Sequence, residues 1–239
     1  YQPGWMLLSY GKKVSVSSSL EGYPAENIVD EDARTAWVAQ SNRDMEWAQV
    51  DLQRLSSIHA IQVNFDEYGA NQKGAVSGVY QSYLIYASVN GEDWSLVVDY
   101  GTKKTDTPHD YIEFEEPFKA RYIKLQNKEY MVSENFSVRD LRIFGKGQGS
   151  TPRAVNDFTV ERDEADPCKA RLCWEAVPDA QGYIVRYGIA GDKLYNNFQV
   201  MGENTLEIGS LNKGVAYYFT IDAYNENGIT RTSRIKVCR

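Results

Sequence analysis

Apolar and polar residues alternate with a period of two along most of the chain, which predicts strands rather than helices. In the first part the runs are Val14–Ser17, Trp47–Leu52, Ile58–Phe65, Tyr83–Val89, Trp94–Asp99, Tyr111–Phe114, Ala120–Gln126 and Leu141–Phe144. Asn90-Gly91 between two of these runs is a strong hairpin signal. Pro24-Ala-Glu-Asn-Ile-Val predicts a single helical turn, with Pro favoured at its start. Short strands with one turn of helix predict a β-sandwich or jelly roll.

A second pattern begins after Gly145-Lys-Gly-Gln-Gly-Ser-Thr-Pro152, whose Gly, Ser and Pro content marks a boundary. Ala170-Arg-Leu-Cys-Trp174 alternates, so Ala170, Leu172 and Trp174 share one face. Gly182-Tyr-Ile-Val-Arg-Tyr-Gly and Tyr217-Tyr-Phe-Thr-Ile-Asp-Ala-Tyr read as long central strands of an immunoglobulin-like sandwich. The expectation is an all-β chain of two modules, 1–148 and 149–239.

Composition supports packed cores: 42% of the 239 residues are hydrophobic and 13% aromatic. Residues 1–148 hold 15 Lys+Arg against 21 Asp+Glu, a balance of −6. An acidic module without a basic stripe repels phosphate backbones, which argues against nucleic-acid binding. No apolar run is long enough for a membrane-spanning helix. The chain opens YQPGWM, without initiator Met or signal peptide, and is expected to be a piece of a longer protein.

Several motifs occur in a consistent order: Ser17-Ser-Ser, Pro24-Ala-Glu-Asn-Ile-Val-Asp-Glu-Asp-Ala-Arg-Thr-Ala-Trp37, Glu46-Trp-Ala-Gln-Val-Asp-Leu52, Val89-Asn-Gly-Glu-Asp-Trp94, Ala120-Arg-Tyr-Ile-Lys-Leu125 and Asp140-Leu-Arg-Ile-Phe-Gly145. Together they resemble the discoidin (coagulation factor V/VIII C-type) superfamily, which includes the family 32 carbohydrate-binding modules. The resemblance implies a discoidin-like jelly roll over residues 10–146. Residues 153–239 resemble a fibronectin type III module, with Leu211-Asn-Lys-Gly-Val-Ala-Tyr217 similar to its tyrosine corner. The pairing resembles the C-terminal part of bacterial glycoside hydrolases, family 43-like enzymes of gut Bacteroidetes in particular. It implies a secreted, periplasmic or cell-surface accessory region covalently linked to a catalytic domain.

Oxygen-bearing side chains recur through Asp30-Glu-Asp-Ala-Arg-Thr35, a pattern suited to a hard cation. The resemblance implies a structural calcium held by side chains of Asp30, Thr35 and Asp140 and by backbone carbonyls of Asn27 and Asp32. Two departures stand out: Glu31 replaces the usual Gly, and Asp140 replaces a longer Glu. The alternative is an Asx-type turn in which Asp30 caps backbone N–H groups without metal.

The long connection Asp66–Tyr80 is a candidate ligand loop. Sugars are bound by stacking on an aromatic ring while polar groups bond their hydroxyls. Tyr68 and Asn71 are the candidates there, joined by Arg43, Tyr130 and Phe136 on loops expected at the same end. Galactose-binding relatives commonly carry an Arg near the position of Asp66, and none stands in this stretch. The expected partner is a polysaccharide or other glycan; the alternative is that this face packs on the parent catalytic domain.

Catalysis is not expected. His59 and His109 assemble into no triad, Glu115-Glu116 before Pro117 reads as a solvated edge, and no GxSxG, HExxH or phosphate loop occurs. Two readings of the cysteines stand: three reduced thiols, or a Cys168–Cys238 bridge at one pole of the resembling sandwich with Cys173 on an outer face.

Overall fold

A computed structural model describes residues 4–70 and 78–239. The chain divides into two compact units, residues 1–148 and 149–239.

In the first unit the described residues form strands β1 (Met6–Leu7), β2 (Lys13–Val16), β3 (Trp37–Val38), β4 (Trp47–Phe65), β5 (Gln81–Ser88), β6 (Ser95–Tyr100), β7 (His109–Tyr130) and β8 (Ser137–Lys146). One 3-10 turn, Ala25–Val29, follows Pro24 as expected from Pro at a helix start. The strands form one antiparallel network in the order β1-β8-β4-β7-β5-β6, with β2 on β4 and β3 on β8.

Four of the expected short strands are two long ones. Trp47–Leu52 and Ile58–Phe65 are the halves of β4, and Tyr111–Phe114 and Ala120–Gln126 lie within β7. The apparent breaks are irregularities. The β4–β7 register shifts between Asp51 and Ser56, where Gln53 takes a left-handed φ of 67°, and again between Ile58 and Ala60. Across these shifts the inward set changes from Ala48, Val50 and Leu52 to Ile61, Val63 and Phe65, all buried. Pro117, which has no N–H for the ladder, sits where β7 loops out between Glu113 and Phe118. Such bulges let long strands turn around a single core that contains Trp37, Phe65, Tyr83, Ile123, Tyr130 and Phe136.

The second unit contains β9 (Phe158–Arg162), β10 (Ala170–Trp174), β11 (Gly182–Gly188), β12 (Asn196–Met201), β13 (Thr205–Ile208), β14 (Tyr217–Asn225), β15 (Gly228–Thr230) and β16 (Lys236–Cys238). One sheet has the order β13-β10-β9; the other is β12-β11-β14-β15, with β16 also on β14. Both contribute to one core, with Ala170, Leu172 and Trp174 from the first sheet and Val185, Phe219 and Ile221 from the second. The Tyr217 hydroxyl accepts a hydrogen bond from the Asn212 N–H at 3.2 Å, tying the start of β14 to the preceding loop.

The three cysteines are free thiols, so the Cys168–Cys238 bridge is not formed. Cys168 is exposed in the loop before β10, whereas Cys238 is packed inward with the core beside Tyr217. Burial pushes the Cys238 thiol up in pKa, against the opposing influence of Arg162.

Candidate functional site in the first unit

Loops converge at one end of the first unit, held by backbone and side-chain hydrogen bonds. The Phe136 N–H donates to the Ser41 carbonyl at 2.9 Å, and the Asp66 N–H to the Ser137 carbonyl at 3.0 Å. Asn42 Nδ2 reaches the carbonyls of Tyr130 and Ser133 at 3.2 and 2.8 Å. Asn127, fully buried, donates through Nδ2 to the carbonyls of Asn42 and Arg43. These bonds bring loops 39–46, 66–70 and 131–136 together.

Glu46 fixes a further loop to this end. Its carboxylate accepts from Ser17, from Ser18 at 2.8 Å and from Ser41 at 2.7 Å. Burial alone would raise its pKa, but the three hydroxyls and the charge of Arg43 outweigh that and lower it. Trp37 is locked below by its Nε1–H, which donates to the Ser18 carbonyl at 3.0 Å.

The expected ligand residues separate into two groups. Arg43 is exposed and Tyr68 half-buried. Tyr130 and Phe136 are not surface residues: they are 1% and 0% exposed and belong to the core. Their rings meet edge-on at 5.3 Å, and both pack on Phe65. The Tyr130 hydroxyl is used up internally, donating to the Asp66 carbonyl beside Ser137 Oγ at 3.2 Å. Aromatic residues near a loop read equally as a stacking platform or as the plug beneath it, and here burial decided for the plug. Asn71 lies outside the described residues.

Two participants escaped the sequence reading. Tyr23 meets Tyr68 edge-on, with ring centroids 4.9 Å apart and planes at 70°. Arg139, on β8, pairs with Asp66 through Nη2 to Oδ1 at 2.5 Å. An arginine thus does stand beside Asp66, brought there from a residue 73 positions away. No local signal in the sequence links either pair.

The oxygen-rich loop is closed on itself. Asp30 Oδ1 accepts from the Asp32 N–H at 2.8 Å, and the Thr35 hydroxyl lies 2.8 Å from Asp30 Oδ2 and 2.9 Å from the Asp32 carbonyl. Asn27 Nδ2 donates to the Ala36 carbonyl at 2.8 Å. Hydrogen bonds from the Arg34 side chain hold the Asp32 carboxyl down to about 2. Glu31 has a φ of 61°, the left-handed conformation for which Gly is the natural choice, and its carboxylate is gripped by Arg142 at 3.0 and 2.8 Å. Asp140 shares a face of β8 with Arg142, is 8% exposed, and accepts from Asn64 Nδ2 at 2.9 Å. Among the described residues no three Asp, Glu, His or Cys side chains gather as a metal-binding group. A cation here would therefore depend on Asp30, Asp140 and the neutral oxygens of Asn27, Asp32 and Thr35.

Comparison with known proteins agrees with this architecture. Residues 13–140 match the F5/8 type C domain family. Lactadherin of Rattus norvegicus is 33% identical over 110 residues, which are 43% of this chain and 25% of the rat protein. Lactadherin of Mus musculus is 32% identical over 110 residues, 43% of this chain and 23% of the mouse protein. The chain thus spans about a quarter of the length of these curated relatives. Among solved structures, chitosan-binding module 1 of a chitosanase/glucanase from Paenibacillus sp. IK-5 superposes with a TM-score of 0.50 at 20% identity, covering 59% of this chain and 99% of that one. By the match over residues 13–140, this chain belongs to the F5/8 type C domain family, whose members are typically non-catalytic binding modules.

Proposed function

We propose that the first unit binds carbohydrate through its loop-bearing end, as an accessory module of a secreted, periplasmic or cell-surface glycoside hydrolase of bacterial origin. The observation that carries this reading is the Tyr23–Tyr68 pair. Two half-buried rings meet edge-on, one of them on the loop that begins at Asp66, which Arg139 of β8 pairs with. Rings fixed in this way present a surface on which a sugar's apolar face stacks, while Arg43 on the adjoining loop supplies donors for hydroxyls. Attachment of such a module to an enzyme raises the effective concentration of substrate at the catalytic domain. Membership of a family of binding modules supports the same conclusion.

Affinity electrophoresis of the 239-residue chain in gels containing plant and host polysaccharides tests it. Retardation that is lost in Tyr68→Ala and kept in Asp140→Asn is the expected result. An absence of retardation across the panel, with capture by the parent catalytic domain, favours docking instead.

The second unit is read as a fibronectin type III sandwich. Support comes from the Tyr217–Asn212 bond and from the strand distribution, in which the first, second and fifth strands form one sheet and the third, fourth and sixth lie in the other. A structural calcium at Asn27, Asp30, Asp32, Thr35 and Asp140 belongs to the same proposal. Its support is the near-burial of the Asp140 carboxylate against a neutral Asn64, because a buried carboxylate without a cation is costly.

A further inference from the structure

The outer face of the first unit's sheet carries a strip of aromatic and cationic residues that stand on the strands or directly beside them, and not on the convergent loops. In β4, Trp47, Gln49 and Asp51 alternate with the buried Ala48, Val50 and Leu52 and therefore point outward. The β4–β7 register sets these three opposite Gln126, Lys124 and Tyr122, and the β5–β7 register sets Leu84, Tyr86 and Ser88 opposite the same three. Trp47, Tyr86, Trp94, Tyr122 and Lys124 are all partly exposed. Leu96, opposite Tyr86 on β6, is 48% exposed.

Lys124 lies at the centre of the strip. Its ammonium is 3.9 Å from the centroid of the Trp94 ring and 5.4 Å from that of Trp47. Partial burial lowers its pKa. Among the described residues it has no carboxylate partner, although the unit as a whole is acidic. The strip's own carboxylate, Asp51, is neutralised by Arg121 at 2.8 Å, and Asp44, on the loop before β4, by Lys128 at 2.6 Å. Glu92 and Asp93, exposed on the loop before Trp94, form no ion pair with Lys124. A partly desolvated cation without a counter-ion, set among aromatic rings, complements a ligand that offers both an apolar face and a negative charge.

We infer that this outer strip is a second glycan surface, separate from the convergent loops, which takes an acidic polysaccharide. Sugar rings lie against Trp47, Tyr86 and Trp94, and a carboxylate or sulfate on the chain pairs with Lys124. The aromatic contacts give affinity for a sugar chain, and the single cation selects the charged one.

Affinity electrophoresis of the full chain tests this with polygalacturonate for the carboxylate arm, heparin for the sulfate arm and dextran as the neutral control. Retardation by at least one acidic polymer is expected, falling as salt is raised. Lys124→Gln should weaken it about tenfold, as loss of a charge-assisted contact does, and Lys124→Arg should restore it. Lys119→Gln removes the same charge from the exposed part of β7 and should leave retardation unchanged. The inference falls if neither acidic polymer retards the chain or if Lys124→Gln behaves as the parent does. It also falls if anionic phospholipid vesicles, and neither polymer, bind the chain. Acidic-polymer binding that Tyr68→Ala abolishes and Lys124→Gln spares would place the acidic ligand at the loops instead. Failure of the strip is thereby distinguished from failure of the loop site.

Discussion

The Tyr68 ring is braced edge-on by Tyr23, 4.9 Å away between centroids, across loops separated by the whole of β3 and β4. The pair makes a fixed platform from residues that singly would be mobile loop tyrosines. Tyr68→Ala should abolish glycan retardation. Tyr23→Ala, which removes only the brace, should weaken it by about 1 kcal/mol, the worth of an aromatic pair. Both variants should keep the parent melting temperature within a few degrees, and affinity gels with thermal melts in parallel measure the two effects.

Phe136 and Tyr130 should behave in the opposite way. Phe136→Ala empties a fully buried site and should cost about 3–5 kcal/mol in denaturant titration. Tyr130→Phe keeps the ring and loses the hydroxyl's bond to the Asp66 carbonyl, costing about 1 kcal/mol. Folded Tyr130→Phe should still bind whatever glycan the parent binds.

Glu46 links stability to pH. Its folded pKa lies below its unfolded value, so the unfolded state binds the proton more readily. Its contribution is therefore present above the unfolded carboxylate pKa and is lost as pH falls through the folded one. Glu46→Gln should lower the melting temperature at neutral pH, by an amount equivalent to about 1–2 kcal/mol, since three hydroxyls lose a charged acceptor. The gap between variant and parent should close as the solution is acidified below the usual carboxylate range.

Calcium is testable without a ligand. Calcium added to chelator-treated protein should raise the melting temperature of the first unit, because a ligand of the native state alone stabilises it. Asp140→Asn should remove that increment while leaving the metal-free transition near its original position. An unchanged transition with calcium present would leave the loop as an Asx-type turn.

The cysteines give a simple chemical check. A thiol reagent should modify Cys168 in the native chain at once and Cys238 only after unfolding, because Cys238 is buried and its thiol is held protonated. Peptide mapping after timed labelling reads the order directly.

Much of the architecture is legible from period-two alternation alone. Ala170, Leu172 and Trp174 face inward as their spacing requires, and Ala48, Val50 and Leu52 do the same in β4. Where the reading divided β4 and β7 into shorter strands, the cause is the bulges. At Gln53 and Pro117 the local pattern breaks, yet the chain continues in the same ladder, and the inward set of β4 moves by one residue further along, from Ala60 to Ile61.

The site was less legible, for a physical reason. Sequence by itself determined which stretches become strands, where the two units divide in composition, and which residue types are available for stacking, pairing or ligation, because alternation, turn chemistry and charge are local properties. Only the tertiary structure decided that Tyr130 and Phe136 are core, that Tyr23 braces Tyr68, and that Arg139 reaches Asp66. Those outcomes depend on which loops converge and on which side of a bulged strand a side chain emerges. Both are set by long-range packing that no neighbouring residue encodes.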